Sequence, residues 1–340
     1  MMRVAIRTEG GAKVGLGHVR RCLTLASALA RLGVQILFVV NADTRVIDSI
    51  ERAGFEAVGV VEKPGQPQPT LQVLADRRAT VLVTDSYAIE TAYLAQARER
   101  VPVLVVLDDL TDRRLPADIA VNPAIGAERL AYAALTDAQL LLGPTFALLR
   151  NEFANVPARS IRPQVERLLV TVGGSDEHNL TGRLVEWARQ VLPDAMINAM
   201  IGPFFATIPT LADAKCALHR DPQNVCALMT ACDLALCSGG QTIYELAATG
   251  TPAIAVQSAE NQARNLEGFR RAGTLIPAGS IGDADLETRV KVALHSLTND
   301  IAKCAAMSER GHALVDGRGA ARVAETIVEL ARDREMDNGL

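Results

Sequence analysis

Apolar positions along the chain alternate between two rhythms: short, nearly continuous β-branched or aliphatic runs, and longer stretches in which Ala and Leu recur three and four residues apart among Arg and polar residues. The runs RVAIR (3–7), VQILFVVN (34–41), TVLVTD (80–85), VPVLVVLDD (101–109) and DIAVN (118–122) predict strands, and their unbroken apolarity predicts parallel strands covered on both faces. Residues 18–32 place Val19, Cys22, Leu23, Ala26, Leu29 and Ala30 on one stripe, which predicts a helix ended by Gly33. The Pro-rich KPGQPQP (63–69) reads as a turn. The cycle restarts after NEFANVPARSIRPQ (151–164), with strands RLLVTVGG (167–174), AMINAMIG (195–202), LALCSG (234–239) and PAIAV (252–256). The expectation is an α/β fold of two doubly wound halves, 1–150 and 165–331, joined by a linker at 151–164 and followed by a charged, frayed tail, RDREMDNGL (332–340).

Length agrees with two domains, since 340 residues at 49% apolar content exceed one typical core. Thirty-five basic against 39 acidic residues give a net charge of −4, and pairs such as Arg20-Arg21 and Arg270-Arg271 are scattered, so no nucleic-acid footprint is expected. A small or anionic ligand held locally stays open. The six cysteines form no C-x-x-C pair and read as reduced core thiols. MMRVAIRTEGG is too short an apolar stretch for a signal segment and 18 apolar residues nowhere run together, so a cytoplasmic protein without stable membrane association is predicted. The single D-x-D string, Asp283-Ala284-Asp285, falls in a late polar loop, and no His/Cys set has zinc spacing, so neither a metal nor a cofactor is expected.

Chemistry in such sheets gathers in loops at the carboxyl ends of strands. In RTEGGAKVGLGHVRRC (7–22), Gly10, Gly11, Gly15 and Gly17 allow close backbone approach, but the spacing is not the G-x-G-x-x-G of a dinucleotide site. His18 in the first turn of a helix meets the positive dipole end, which favours a neutral, proton-accepting imidazole; a capping or packing histidine is the alternative. Asp85, Ser86 and Tyr87 close the third strand, where Asp85 could equally cap a helix. Asp108 and Asp109, adjacent at a strand end, make a poor paired-carboxylate site because alternate strand residues face opposite ways. In the second half, Gly173, Gly174 and Ser175 form either an anion-binding or a simple capped turn. Ser238, Gly239, Gly240, Gln241 and Thr242 would present amides and a hydroxyl to a diphosphate at a helix start. Glu245 would accept from ribose hydroxyls or complete a capping box. Asn261 and Gln262 are polar amides at a further helix start or an exposed turn.

The S-G-G-x-x-x-x-E stretch at 238–245 and the glycine loop ending in Gly17-His18 resemble the GT-B architecture of nucleotide-sugar enzymes, two Rossmann-like domains facing across a cleft. RTE (7–9), GLGHVRRCLTLA (15–26), TDSY (84–87), LDD (107–109), GPTFALLRNEF (143–153), VGGSD with Asn179, and ENQ (260–262) more closely resemble the PseG/SpsG family. Its best-known members are UDP-2,4-diacetamido-2,4,6-trideoxy-β-L-altropyranose hydrolases of pseudaminic acid biosynthesis. The resemblance implies metal-independent hydrolysis of a UDP-linked amino-deoxy sugar for nonulosonic acid, flagellin or other surface glycans. It also implies that His18 activates water for attack at the anomeric carbon, with Tyr87 beside it and UDP held by the second domain. Glu9 stands where the family carries Asp, and Ser86-Tyr87-Ala88 where it reads H-Y-G; both flank the implied sugar pocket. A GT-B glycosyltransferase using the same donor, a non-catalytic nucleotide-sugar binding protein and a nicotinamide oxidoreductase are the competing readings, the last disfavoured by the missing fingerprint.

Overall fold

The computed structural model describes residues 2–11, 14–63, 65–203, 205–209 and 215–337. The chain forms two compact units, one comprising residues up to Asn151 together with those from Arg318 onward, the other running from Glu152 to Gly317.

The first unit is a parallel sheet of β1 (Arg3–Thr8), β2 (Gln35–Asn41), β3 (Glu56–Val60), β4 (Val81–Asp85), β5 (Val103–Leu107), β6 (Ile119–Asn122) and β7 (Gln139–Leu142), in the order β3-β2-β1-β4-β5-β6-β7. Its helices are α1 (Gly17–Arg31), α2 (Thr44–Arg52), α3 (Gln68–Arg77) and α4 (Thr91–Arg98). Alternate side chains of β1 serve two cores: Val4 and Ile6 pack under Val19, Cys22 and Leu29 of α1, whereas Ala5 faces Leu82, Leu104 and Leu94 on the other side.

The second unit repeats the scheme with β8 (Arg167–Thr171), α5 (Leu180–Val191), β9 (Met196–Ile201), β10 (Cys216–Arg220), α6 (Val225–Ala231), β11 (Leu234–Ser238), α7 (Thr242–Ala248), β12 (Ala253–Gln257), α8 (Ala263–Ala272), β13 (Leu275–Ser280), α9 (Leu286–Thr298) and α10 (Ile301–Leu314). The parallel sheet runs β10-β9-β8-β11-β12-β13. In each unit the winding reverses once, between β1 and β4 and between β8 and β11. In doubly wound sheets such a reversal is where loops diverge and a crevice can form at the carboxyl ends of the strands.

Two boundaries differ from those the sequence suggests. The last helix, α11 (Gly319–Asp337), packs Ala320, Val323, Ala324, Ile327, Val328 and Ala331 into the first unit's core beside Leu25 and Leu29 of α1. The second unit therefore ends at Gly317 rather than 331, and the stretch expected as a frayed tail is helical through Asp337. Periodicity reveals an apolar stripe but not which sheet it covers. The expected linker is also anchored: Arg159 donates to the carbonyls of Thr230 (2.7 Å) and Cys232 (2.5 Å) and to Thr251 Oγ1 (2.8 Å), tying it to the second unit. Among the described residues no helix is long and apolar enough to cross a membrane.

Candidate active site

The β1–α1 loop is built to bring one imidazole to the winding reversal of the first sheet. The Asn41 amide clamps Gly10 from both sides, accepting from its N–H at 3.0 Å and donating to its carbonyl at 2.9 Å. Gly11 and Gly15 then exchange backbone hydrogen bonds of 3.0 and 2.8 Å, closing a turn in which Gly15 holds φ +76°, a conformation only glycine adopts freely. Gly17 opens α1 with open space where a Cβ would stand. Burial of Val19 and Cys22 fixes the helix on the sheet and leaves His18, whose side chain is 8% exposed, against the end of β4.

There His18 Nδ1 lies 2.7 Å from Asp85 Oδ1. The Asp85 carboxylate is fully buried and receives Arg21 Nε at 2.6 Å on Oδ2, Arg21 Nη2 at 2.5 Å on Oδ1 and the Cys22 thiol at 3.4 Å. Burial alone would raise its pKa, but the Arg21 charge and hydrogen bonds, with His18 adding to them, hold the carboxyl well below the usual range. An ionised carboxylate only accepts, so a neutral imidazole facing it carries its proton on Nδ1 and keeps the lone pair on Nε2. Asp85 is not a helix cap, since α4 begins at Thr91 behind Glu90.

Tyr87 meets His18 edge to face, with ring centroids 4.6 Å apart, and donates to Asp109 Oδ2 at 3.1 Å. Burial first, then the Asp109 charge, pushes its phenol up to about 12, so it stays a neutral donor. Asp109 also pairs with Arg21 Nη1, at 3.0 Å through Oδ1 and 2.7 Å through Oδ2. Its neighbour Asp108 turns into a separate buried network, accepting from Tyr132 Oη (2.7 Å) and the Thr111 amide (3.1 Å). The two aspartates thus do not act as a pair, yet Asp109 by itself joins the site. Ser86 Oγ donates to Glu9 at 2.7 Å, so the two positions that depart from the family pattern touch one another. The structure gathers His18, Asp85 and Tyr87 in one network and adds Arg21 and Asp109, which sequence reasoning missed. The signal available for Arg21 was its place one turn after His18 on the same helix face.

The second unit's reversal carries no such buried charge pair among the described residues. Gly173, at φ +97°, and Gly174 turn their carbonyls against Gly202, where a Cβ would come within 2.5 Å of each. Ser175 is exposed, and Asp176 accepts from the amides of Leu180 (2.7 Å) and Thr181 (2.8 Å). The start of α5 is therefore a capped turn; these amides are occupied, and the anion-binding alternative does not hold for them. Ser238 spends its hydroxyl proton on the Val172 carbonyl at 2.9 Å, tying β11 to β8. The Gly239 amide is shared between the Val256 carbonyl and Gln262 Oε1, both at 3.2 Å, which removes it from the expected set of ligand-facing amides. Gln262 also accepts from the Ser258 amide at 2.9 Å and so clasps two strand-end loops. Gly240, Gln241 and Thr242 follow at the start of α7, with Glu245 half-buried in its first turn, while Asn261 is exposed in the neighbouring turn.

No family model matches the chain. It is 30% identical to an uncharacterized protein of Methanocaldococcus jannaschii over 77% of its own length and 57% of the other's. It is 23% identical to the spore coat polysaccharide biosynthesis protein SpsG of Bacillus subtilis, over 97% of its own length and 98% of that protein's. A third relative is the pseudaminic acid cytidylyltransferase and UDP-2,4-diacetamido-2,4,6-trideoxy-β-L-altropyranose hydrolase of Helicobacter pylori, 24% identical over 76% of this chain and 45% of that one. The chain thus spans about half the length of the archaeal and Helicobacter relatives. Among solved structures, Acinetobacter baumannii MurG superposes with a TM-score of 0.69 at 13% identity, covering 97% of this chain and 100% of that one. A calicheamicin glycosyltransferase gives 0.68 at 17% identity, covering 97% and 98%. With its two parallel-sheet α/β domains, the chain has the fold of the GT-B glycosyltransferases.

Proposed function

We propose that the protein is an enzyme acting on nucleotide sugars and that it hydrolyses a UDP-linked amino-deoxy sugar in surface-glycan biosynthesis. The observation that carries this reading is the 2.7 Å contact between His18 Nδ1 and an Asp85 held ionised by Arg21, which leaves His18 Nε2 able to take a proton. In the reaction a water oxygen bonds to the anomeric carbon, the bond from that carbon to the diphosphate oxygen breaks with its electron pair leaving on UDP, and the water proton passes to His18 Nε2. Asp85 then faces the imidazolium it has oriented. Tyr87, whose one phenol proton lies on Asp109, would accept from a sugar hydroxyl. The amides at 240–242 and Glu245 of the second unit would hold diphosphate and ribose. The names of the Bacillus and Helicobacter relatives support the pathway class.

The fold likeness favours one second reading, a glycosyltransferase in which His18 deprotonates an acceptor hydroxyl instead of water. Single turnover of UDP-amino sugars in ¹⁸O water separates the two. Hydrolysis places the label in the released sugar and needs no acceptor, whereas label in UDP means attack on phosphorus and sinks both. His18→Asn should keep the fold and lose roughly a hundredfold or more in turnover, the usual worth of a positioned base.

A further inference from the structure

We propose that Asp109 is a positioning residue that fixes the proton-accepting tautomer of His18 by steering Arg21; the inference rests on the reading of His18 as a base. Two groups compete for His18 Nδ1. Asp85 Oδ1, at 2.7 Å, requires a proton on that nitrogen, whereas Arg21 Nη2, at 3.2 Å, can only donate and requires a bare one. If the arginine won, the proton would move to Nε2 and the imidazole would have no lone pair to offer water. The outcome depends on where the guanidinium is held.

Its Nε and Nη2 form a fork on Asp85, at 2.6 and 2.5 Å, and its Nη1 is on Asp109. A planar guanidinium anchored along two edges cannot bring Nη2 closer to His18 than its 3.2 Å without lengthening one anchor. Asp109 supplies the second anchor from the β5 loop, outside contact with the imidazole. Charge points the same way: with His18 neutral, Arg21, Asp85 and Asp109 sum to one negative charge, and proton uptake by His18 cancels it. Of the other groups that touch the imidazole or Asp85, Tyr87 is a neutral phenol and burial keeps the Cys22 thiol protonated. Asp109 has one further route to His18, through the Tyr87 hydroxyl it accepts, and the test must separate the two.

With ¹⁵N-labelled histidine, the five histidines give few enough signals for His18 to be assigned by its absence in His18→Asn. Wild type should show Nδ1–H. Asp109→Ala should move the signal toward Nε2–H and lower kcat about tenfold or more, with KM changed by less than about twofold. Tyr87→Phe should leave the tautomer signal as in wild type. Asp109 is a quarter exposed, and the isosteric Asp109→Asn gives the same readout if the alanine variant does not fold. A wild-type tautomer in both Asp109 variants, or a Tyr87→Phe signal that matches theirs, overturns the proposal. If the tautomer moves as expected but His18→Asn turns over like wild type, the steering stands and the base reading falls.

Discussion

The two winding reversals share one topology and divide the chemistry between them. Around the first reversal, α1, the end of β4 and the loop after β5 carry two aspartates, an arginine, a histidine and a tyrosine in one hydrogen-bonded network, with Asp85 fully buried. Between β8 and β11, the same places hold Gly173, Gly174, Ser238, Gly239 and Gly240, and the hydrogen bonds run mainly to backbone. A buried carboxylate persists only when paired, so the first crevice can hold a charge whose partner is a proton acceptor. The second sets the half-buried Glu245 among backbone and small side chains, which suits a ligand that brings its own charge. Identical winding thus leaves the strand-end residues to decide which groups each reversal carries.

The sharpest break in this comparison is to neutralise one aspartate at each reversal. Asp85→Asn removes the acceptor that orients His18, and turnover should fall by roughly 10²- to 10⁴-fold, as when a catalytic histidine is left in the wrong tautomer. Asp176→Asn in the second unit should cost about 1 kcal/mol of stability as a weakened helix cap and leave kcat in place. Acid unfolding adds a signed test. The folded pKa of Asp85 is depressed, so its stabilisation is fully present above the unfolded value of about 3.9 and is lost as pH falls below that toward the folded value. Urea melts should therefore show wild type losing stability below about pH 4 more steeply than Asp85→Asn. Equal rate losses in the two aspartate variants would show that the division of labour is misread.

A smaller effect is expected on binding. Glu245→Ala should weaken UDP by about 1–3 kcal/mol through loss of a charged acceptor, while His18→Ala leaves UDP affinity nearly unchanged. Calorimetric titration of both decides it. Weakening by His18→Ala as large as that by Glu245→Ala would place nucleotide recognition in the first unit as well.

Much of this division is legible in the sequence, and what is not has physical causes. All nine strands read from apolar runs are present. The four that were missed, β3, β7, β10 and β13, are the edges of the two sheets. An edge strand such as CALHR or QLLL is half exposed and loses the continuous apolar run that marks a central parallel strand. Asp85 and Tyr87 are visible because a central strand ends there, and His18 because it opens a helix behind a glycine-rich loop. Arg21 looked like one half of a scattered basic pair with Arg20, because only packing tells which arginine turns inward. Asp109 was set aside by assuming that the strand continued, but β5 stops at Leu107 and frees both aspartates from alternation. That Gln262 ties two loops together is not legible in the sequence, because an amide in that role has the same composition as one in an exposed turn.

The smallest expected effects come from the glycines, which serve the two reversals for different reasons. A Cβ at Gly239 would lie 2.7–2.9 Å from the side chain of buried Leu266, so Gly239→Ala overpacks the second unit and should cost about 1–3 kcal/mol. Trimming Leu266 to Ala should recover part of that loss in the double variant. Gly15 faces open space, and its constraint is only the backbone at φ +76°. Gly15→Ala should therefore cost about 1 kcal/mol from backbone strain. Asparagine tolerates the left-handed region better than alanine, so Gly15→Asn should cost less, although its side chain is larger. Chemical denaturation of the three single variants orders them as Gly239→Ala, Gly15→Ala, Gly15→Asn. A Gly15→Asn protein less stable than Gly15→Ala would mean that space beside the loop, not backbone conformation, selects glycine there, and the two reversals would then use their glycines alike.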